Sequence, residues 1–210
     1  MEKPIIIVGA KTIARIAVDI FHSNDVLIYC LLDDDETLHK TEIQGISVLG
    51  SLTNDEFLKY IGKKCDVFVA IENIEERIET VEMIIEKRKT VPVNAIHAKA
   101  HISPFAHIEH GNLFSAGVII NPDAKIGNFN IFGTSSIVDF SARVGNYCNI
   151  GTNVVVNHGA VIEDEVLIGS GAIISPGVKI GKKAQIGPAS LVVQDVPNGK
   201  TVFGVPAKQV

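Results

Sequence analysis

The side chains best suited to acid–base chemistry in this chain of 210 residues are its seven histidines, because imidazole exchanges protons near neutral pH. Four of them lie between residues 97 and 110, where no cysteine or paired acid joins them, so a metal site is not favoured. His22 and His39 are expected at the surface. His158 is followed by acids at residues 163–165, and a carboxylate beside an imidazole fixes its tautomer and stabilises its protonated form. His158 is therefore the candidate general base, with an ordinary surface or intersubunit histidine as the alternative.

Acidic residues at the end of a predicted strand form a second candidate site. The apolar runs Lys3–Val8 and Val26–Leu32 predict buried strands, and helical spacing between them completes a βαβ unit. Ligands of such sheets bind at the carboxyl ends of the strands, which here are followed by Gly9 and by aspartates at residues 33–35. A nucleotide site and a solvated acidic turn both fit this position. A redox dinucleotide does not, because the loop at residues 10–14 is poor in glycine.

A six-residue repeat defines the second half of the chain. Every sixth residue from Ile96 to Val192 is apolar, without any insertion. The residue two places earlier is usually small and a glycine often follows, which is the hexapeptide signature of a β-helix. Three hexapeptides make one coil, so residues eighteen positions apart stack about 4.8 Å apart. His158 therefore shares a column with Phe140 and Pro176.

The two patterns predict two domains that meet near Pro92. Strands and helices up to about Lys89 indicate a small α/β Rossmann-like domain, residues 1–92. Residues 93–210 form an all-β parallel β-helix that ends in a tail rich in proline, glycine and asparagine. Each domain is expected to bury a hydrophobic core of its own.

Composition limits the partners of the protein. A net charge of −5 gives no basic face for nucleic acid. No run approaches the roughly 20 apolar residues of a membrane span, and no signal-peptide cleavage region follows the first strand, so no membrane insertion is expected. Three scattered cysteines without metal-ligand spacing are typical of buried thiols in a reducing compartment. We expect a cytoplasmic protein without a bound metal.

The whole chain resembles the hexapeptide-repeat sugar acetyltransferases, a bacterial family that includes sialic acid O-acetyltransferases and UDP-bacillosamine N-acetyltransferases. The matching segments run in the family's order and spacing: Ile5–Ala10, Leu31–Asp34, Ile46–Leu52, Phe68–Asn73, Asn94–Pro104, Thr134–Val138 and Gly204–Lys208. The resemblance implies a homotrimer. In it, the Rossmann-like domain holds the nucleotide of a nucleotide sugar, and a left-handed β-helix binds acetyl-CoA between neighbouring subunits.

The resemblance also implies which residues bind the nucleotide sugar. Gly9 and Ala10 match the start of the family's glycine-rich loop, whose remaining residues differ here. Asp33 and Asp34 match the acidic pair that contacts the base. Gly50 matches the glycine of the next turn.

The catalytic residues of the family are replaced in this chain. The family's catalytic histidine falls on Phe140, and its second histidine, near the thioester, falls on Asn149. With the tail residues Gly204 and Lys208, Asn149 makes up the expected acetyl-CoA site. His158 lies one coil beyond Phe140 in the same column and is the expected substitute for the missing base.

We therefore expect an acetyltransferase that moves an acetyl group from acetyl-CoA to a nucleotide-linked sugar in surface-glycan biosynthesis. Transfer is direct, and an amino sugar is the favoured acceptor because the similarity around Thr134–Val138 is to that branch of the family. The first alternative is a catalytically impaired homologue that acts as a scaffold or a sugar-nucleotide binder. A remote alternative is a zinc hydratase of the γ-carbonic anhydrase kind, which would need three histidines from adjacent coils and subunits.

Overall fold

A computed structural model describes residues 3–52 and 55–210 of the chain. Contacts between residues divide the chain into two compact units, Met1–Ala98 and Lys99–Val210. The boundary near residue 92 stays a prediction about where the functional domains meet.

The first unit is built around a five-stranded sheet. Its elements are β1 (Ile5–Val8), α1 (Thr12–Ser23), β2 (Ile28–Leu32), a 3₁₀ helix (Glu36–Leu38), β3 (Glu42–Ile43), β4 (Ile46–Gly50), α2 (Asp55–Leu58), β5 (Asp66–Val69), α3 (Ile74–Arg88) and β6 (Ala95–Ile96). The order in the sheet is β3-β4-β2-β1-β5, and β1 runs parallel to both β2 and β5. All four residues of β1 are buried, as the apolar run predicts for a strand covered on both faces.

The helices of this unit begin and end where the sequence supplies suitable residues. The α3 helix starts after Asn73, whose side chain accepts a hydrogen bond from the backbone N–H of Glu76 at 2.9 Å. It ends at Lys89 in the left-handed conformation, with basic residues in the last turn. By contrast, α1 starts without a side-chain cap and without an acid in its first turn. The backbone N–H groups at the start of α1 are therefore not consumed by a capping side chain.

The second unit is a parallel β-helix of short strands. Its strands are β7 (His101–Ile102), β8 (His107–Ile108), β9 (Leu113–Phe114), β10 (Ile119–Ile120), β11 (Lys125–Ile126), β12 (Ile131–Phe132), β13 (Ile137–Val138), β14 (Arg143–Val144), β15 (Asn149–Ile150), β16 (Val155–Val156), β17 (Val161–Ile162), β18 (Leu167–Ile168), β19 (Ile173–Ile174), β20 (Lys179–Ile180), β21 (Gln185–Ile186), β22 (Leu191–Val192), β23 (Thr201–Gly204) and β24 (Ala207–Gln209). Successive coils pair in parallel with an eighteen-residue offset, for example Ile137 with Val155. This is the register that the six-residue repeat predicts.

The strands form three sheets, which we call the first, second and third faces. The first face runs from β9 through β12, β15, β18, β21 and β23 to β24, the second contains β7, β10, β13, β16, β19 and β22, and the third contains β8, β11, β14, β17 and β20. From Phe114 to Val192 the sixth-residue side chains point inward and are buried, whereas Ile96, Ile102 and Ile108 at the start of the repeat are half-buried. Phe114 and Phe132 stack in the core with ring centroids 4.9 Å apart. The residue before each inward side chain projects from the other side of its strand, and most of these residues are exposed or half-buried and decide the chemistry of their face.

A ladder of buried asparagines holds the corner between the third and first faces. Asn112 and Asn130 lie one coil apart, and neither is exposed to solvent. The Asn112 Oδ1 accepts hydrogen bonds from the backbone N–H and the Nδ2 of Asn130, at 2.9 and 3.0 Å. The Asn130 Oδ1 accepts in turn from the backbone N–H of Cys148 at 2.7 Å. The ladder satisfies backbone groups that the turn leaves without strand partners.

A hairpin closes the far end of the first face. β23 pairs in parallel with β21 and antiparallel with β24, which places Phe203 opposite Lys208. The backbone N–H of Gly204 donates to the Ser190 hydroxyl at 3.1 Å and ties the hairpin to the last coil. Within residues 3–52 and 55–210, no helix has the length and apolarity that crossing a membrane would require.

Candidate functional site

The predicted nucleotide-site residues of the first unit lie together. The carboxyl ends of β1, β2 and β4 are joined by hydrogen bonds, from the Gly9 N–H to the Leu32 carbonyl at 2.8 Å and from the Asp33 N–H to the Gly50 carbonyl at 2.9 Å. Ala10 and Asp34 belong to the same group of loops, because Ala10 donates a hydrogen bond to Asp33 and Asp34 accepts one from Leu52. This edge of a parallel sheet is where ligands of such folds bind.

The two aspartates have different surroundings. Asp33 is only 8% exposed, and its carboxylate accepts from the backbone N–H groups of Ala10 at 2.7 Å and Asp35 at 2.9 Å. Asp33 thereby fixes the loop after β1 against the loop after β2. Asp34 is exposed, and its carboxylate accepts a hydrogen bond from the Leu52 N–H at 2.7 Å. Asp34 is therefore the carboxylate of the pair that has room to contact a ligand.

Gly9 is required by its backbone. Its φ of +97° lies in the region that side chains disfavour, and a Cβ atom there would sit 2.7 Å from the Ala70 carbonyl oxygen. The strands β1 and β5 approach this closely because the Ala70 N–H donates to the Val8 carbonyl at 2.6 Å. Any larger residue would push β1 and β5 apart at this edge of the sheet.

His39 is part of this edge, although the sequence predicts it at the surface. Its Nε2 lies 2.7 Å from the carbonyl oxygen of Asp33, and the residue is half-buried. The contact spans the 3₁₀ helix, whose start is capped by the Asp35 side chain. Hydrogen bonds from Thr37 hold the pKa of Asp35 below its usual value. No local pattern around His39 indicates this contact.

His158 lies at the corner between the second and third faces. Its imidazole is exposed and stacks on the ring of Phe140 in the preceding coil, with centroids 5.0 Å apart and planes 3° from parallel. The backbone follows the same register, since the Gly159 N–H donates to the Phe140 carbonyl at 3.2 Å. Phe140 itself is 50% exposed. The imidazole remains exposed to solvent, and Pro176 follows it in the next coil of the same column.

The carboxylates expected beside His158 lie elsewhere, and that part of the prediction is wrong. Glu163 forms an ion pair with Lys179 at 2.6 Å, and this hydrogen bond lowers the pKa of Glu163. Glu165 pairs with two lysines at 3.0 and 3.1 Å, and Asp164 accepts from an asparagine backbone N–H at 2.8 Å. A six-residue step crosses one whole face, so these acids occupy the next corner. Among the described residues, the His158 ring has no hydrogen-bond partner.

A polar column runs beside the stacked rings. The Asp139 Oδ1 accepts from the Phe140 N–H and from the Asn121 Nδ2, both at 2.9 Å. One coil on, the Asn157 Nδ2 donates to the Ile174 carbonyl at 2.7 Å. These bonds fix the turns that carry both rings of the Phe140–His158 stack.

The predicted acetyl-CoA residues lie on the first face. Asn149 is half-buried on β15, and Gly204 and Lys208 belong to the β23–β24 hairpin, with β18 and β21 between them. His158 occupies the corner opposite this face. Within a single chain, the three candidate acetyl-CoA-binding residues therefore lie on one face, and the candidate base His158 does not lie beside them.

The four histidines at residues 97–110 do not converge. The His97 Nε2 lies 3.4 Å from the Asp19 carboxylate in the first unit. His101 and His107 point outward from different faces. Within the described part of the chain, no cluster of three or more histidines, cysteines or acids is arranged to hold a metal ion.

Family comparisons match both halves of the chain. The family model of the PglD N-terminal domain matches residues 4–84, and that of the bacterial transferase hexapeptide, with six repeats, matches residues 159–194. No curated protein sequence matches the chain significantly.

Solved structures match over the whole chain. One is a histidine-to-alanine variant of GDP-perosamine N-acetyltransferase from Caulobacter crescentus in complex with CoA and GDP-perosamine; it is 28% identical, with a TM-score of 0.91 over 99% of this chain and 96% of that chain. WeeI from Acinetobacter baumannii AYE is 26% identical, with a TM-score of 0.84 over 99% of each chain. These matches confirm the resemblance to hexapeptide-repeat sugar acetyltransferases.

A more distant structure supports the fold alone. The acetyltransferase domain of PglB from Neisseria gonorrhoeae FA1090, in complex with acetyl coenzyme A, is 21% identical with a TM-score of 0.90 over 100% of both chains. The predicted fold class is confirmed: an α/β Rossmann-like N-terminal domain precedes a left-handed parallel β-helix.

Proposed function

We propose that this protein is an acetyltransferase that moves an acetyl group from acetyl-CoA to the amine of a nucleotide-linked amino sugar. The observation that carries the proposal is the match along 99% of the chain to an N-acetyltransferase bound to CoA and GDP-perosamine. The first unit supplies a sheet edge suited to a nucleotide, and the β-helix supplies an exposed imidazole. Surface-glycan biosynthesis is the setting that such an activity serves.

The nucleotide sugar is held by the loops at the edge of the first unit. Asp34 contacts the base, while Gly9, Ala10 and Gly50 allow the ligand to approach the backbone closely. Asp33 acts indirectly by fixing these loops. The uncapped start of α1 follows β1 at the same edge and suits a phosphate of the nucleotide, because its N–H groups and helix dipole favour an anion.

Acetyl-CoA binds on the first face, at Asn149, Gly204 and Lys208, and the base comes from a neighbouring subunit. This arrangement requires a homotrimer. Support comes from the second face, whose outward side chains form an apolar ladder: Ile119, Ile137, Val155, Ile173 and Leu191. Ile173 is 42% exposed in the single chain, and association would remove this surface from water. The free, buried cysteines suit the cytoplasm, where we place the protein.

His158 acts as the general base in a direct transfer. Its imidazole accepts the proton of the sugar amine as the nitrogen attacks the acetyl carbonyl carbon, and a backbone N–H stabilises the oxyanion. The proton then passes to the departing thiolate of CoA. Among the described residues no carboxylate is hydrogen-bonded to the imidazole, so the stack on Phe140 is what holds the ring plane.

The test is the rate of CoA release with a panel of GDP-, UDP- and dTDP-linked 4-amino sugars. His158→Ala should lower kcat by about 10²- to 10⁴-fold, the usual contribution of a general base. His110→Ala is the control, because it removes an exposed histidine from a different corner of the same β-helix. A second variant, Phe140→His in the His158→Ala background, asks whether a base at the family's position restores turnover. A wild-type rate in His158→Ala would refute the assignment.

One alternative function has an observation in its favour. By the family resemblance, the catalytic histidine falls on Phe140, as it would in a homologue that has lost catalysis. Such a protein would bind nucleotide sugar and turn over no acceptor of the panel. It would gain activity only when Phe140→His restored the base, whereas the proposed enzyme is active without that change.

A further inference from the structure

The third face of the β-helix carries a column of basic side chains. His107, Lys125, Arg143 and Lys179 all point outward from it, and Val161 interrupts the column. Lys125 and Arg143 are direct partners on neighbouring strands, so their backbones are about 4.8 Å apart. Both side chains are exposed. Two like-charged side chains therefore project from adjacent strands of a chain whose net charge is −5.

The cations of this column differ in how they are neutralised. Lys179 forms an ion pair with Glu163 at 2.6 Å. Lys125 and Arg143 have no carboxylate within 4.0 Å among the described residues. Along the chain, the nearest acids are Asp123 and Asp139, and Asp139 already accepts hydrogen bonds from the Phe140 N–H and Asn121. The repulsion between Lys125 and Arg143 is thus left without an internal counterion.

The position of the pair relates it to the candidate base. Arg143 follows Phe140 by three residues, and Phe140 is the ring on which His158 stacks. The pair therefore begins at the corner that carries the imidazole and extends along the third face. A guanidinium offers two parallel N–H donors to a phosphate, and an adjacent ammonium adds a second charge.

We propose that Lys125 and Arg143 form a phosphate-binding site that takes a phosphate or diphosphate group of one of the two substrates. The assignment rests on the proposed function, because that function brings two phosphate-bearing molecules to the His158 corner. The 3′-phosphate or diphosphate of CoA and the diphosphate of the nucleotide sugar share this chemistry.

The test compares binding by calorimetry in the full-length protein. The double variant Lys125→Gln/Arg143→Gln removes both unpaired charges, and Lys179→Gln is the matched control from the same column. The probes are inorganic pyrophosphate, CoA, 3′-dephospho-CoA, GDP and UDP, each at two salt concentrations. We expect the dissociation constant of at least one probe to be about tenfold or more higher for the double variant than for the wild type. A hydrogen bond to a charged group contributes about that factor to an affinity.

The outcomes separate the two sources of phosphate. If the double variant binds CoA more weakly but binds GDP and UDP as the wild type does, the site takes a phosphate of acetyl-CoA. If it binds GDP or UDP more weakly and CoA normally, the site takes the diphosphate of the nucleotide sugar. Equal binding of every probe by the double variant and the wild type would overturn the site. The proposed function fails separately, if the wild type binds neither CoA nor any nucleotide, and the pyrophosphate arm still decides the site in that case.

Discussion

The buried asparagine ladder gives a prediction whose size follows from the structure. Asn130→Ala removes an amide that has no solvent exposure. Its Nδ2 donates to Asn112 at 3.0 Å and to the Gly145 carbonyl at 2.9 Å, and its Oδ1 accepts from the Cys148 N–H at 2.7 Å. Asn112 keeps a partner in the variant, because the backbone N–H of residue 130 still donates to it at 2.9 Å.

Two backbone groups are therefore left unsatisfied in the Asn130→Ala variant, at Gly145 and Cys148. The bond to Cys148 is buried and the bond to Gly145 partly buried. An unsatisfied group of this kind costs about 1–3 kcal/mol, so the two together should lower the free energy of unfolding by about 2–6 kcal/mol. The methyl group of alanine fills only part of the vacated space and adds no compensating contact.

Urea unfolding followed by circular dichroism at one fixed protein concentration measures this loss. Asn128→Ala is the matched control, because Asn128 lies at the same corner and makes side-chain bonds to Asn146 and to the His110 N–H, at 3.1 Å each, that are not fully buried. Water can replace these bonds, and a loss below about 1 kcal/mol is expected. If the two variants lost equal free energy of unfolding, burial would not be the reason why the Asn130 hydrogen bonds stabilise the fold.

Three further predictions concern the oligomer, the nucleotide edge and the thiols. If the protein assembles as the proposed homotrimer, Ile137→Asp should convert it to monomers in analytical ultracentrifugation, whereas Val161→Asp on the third face should leave it assembled. Asp33→Asn should lower the melting temperature, because it weakens the bonds that hold the two loops, and Asp34→Asn should weaken nucleotide binding with the melting temperature unchanged. Burial raises the pKa of Cys30 to about 12, so its thiol stays neutral at pH 8; rapid alkylation of Cys30 in the native protein at that pH would contradict the structure.

Periodicity made the column of Phe140 and His158 predictable. A parallel β-helix with an uninterrupted repeat fixes which residues stack, because every coil has the same length. The same repeat does not say which corner a nearby residue reaches. Glu163 is five residues from His158, yet it lies beyond a complete face and pairs with Lys179. Proximity in sequence was therefore a poor guide to the partners of the imidazole.

At the edge of the first-unit sheet, the sequence predicts which residues lie together but not the role of each. The carboxyl ends of parallel strands must meet, so the grouping of Gly9, Asp33 and Gly50 followed from the order of the elements. The division of roles between Asp33 and Asp34 did not, because it depends on which backbone N–H groups lack partners. The place of His39 depends in the same way on a contact across a 3₁₀ helix.

If His158 is the base, one coil beyond Phe140, this constrains the position of the acceptor amine more than the position of acetyl-CoA. The donor candidates run along the first face from Asn149 on β15 to the hairpin of β23 and β24, and the coil that begins at Asn157 contributes β18 between them. His158 belongs to this intermediate coil, so its height along the axis lies within the span of the donor candidates. Moving the base from Phe140 to His158 therefore needs no new donor site. The acceptor amine must instead lie about 4.8 Å further along the axis than a base at Phe140 would require. In the His158→Ala background, Phe140→His should for this reason restore turnover only in part.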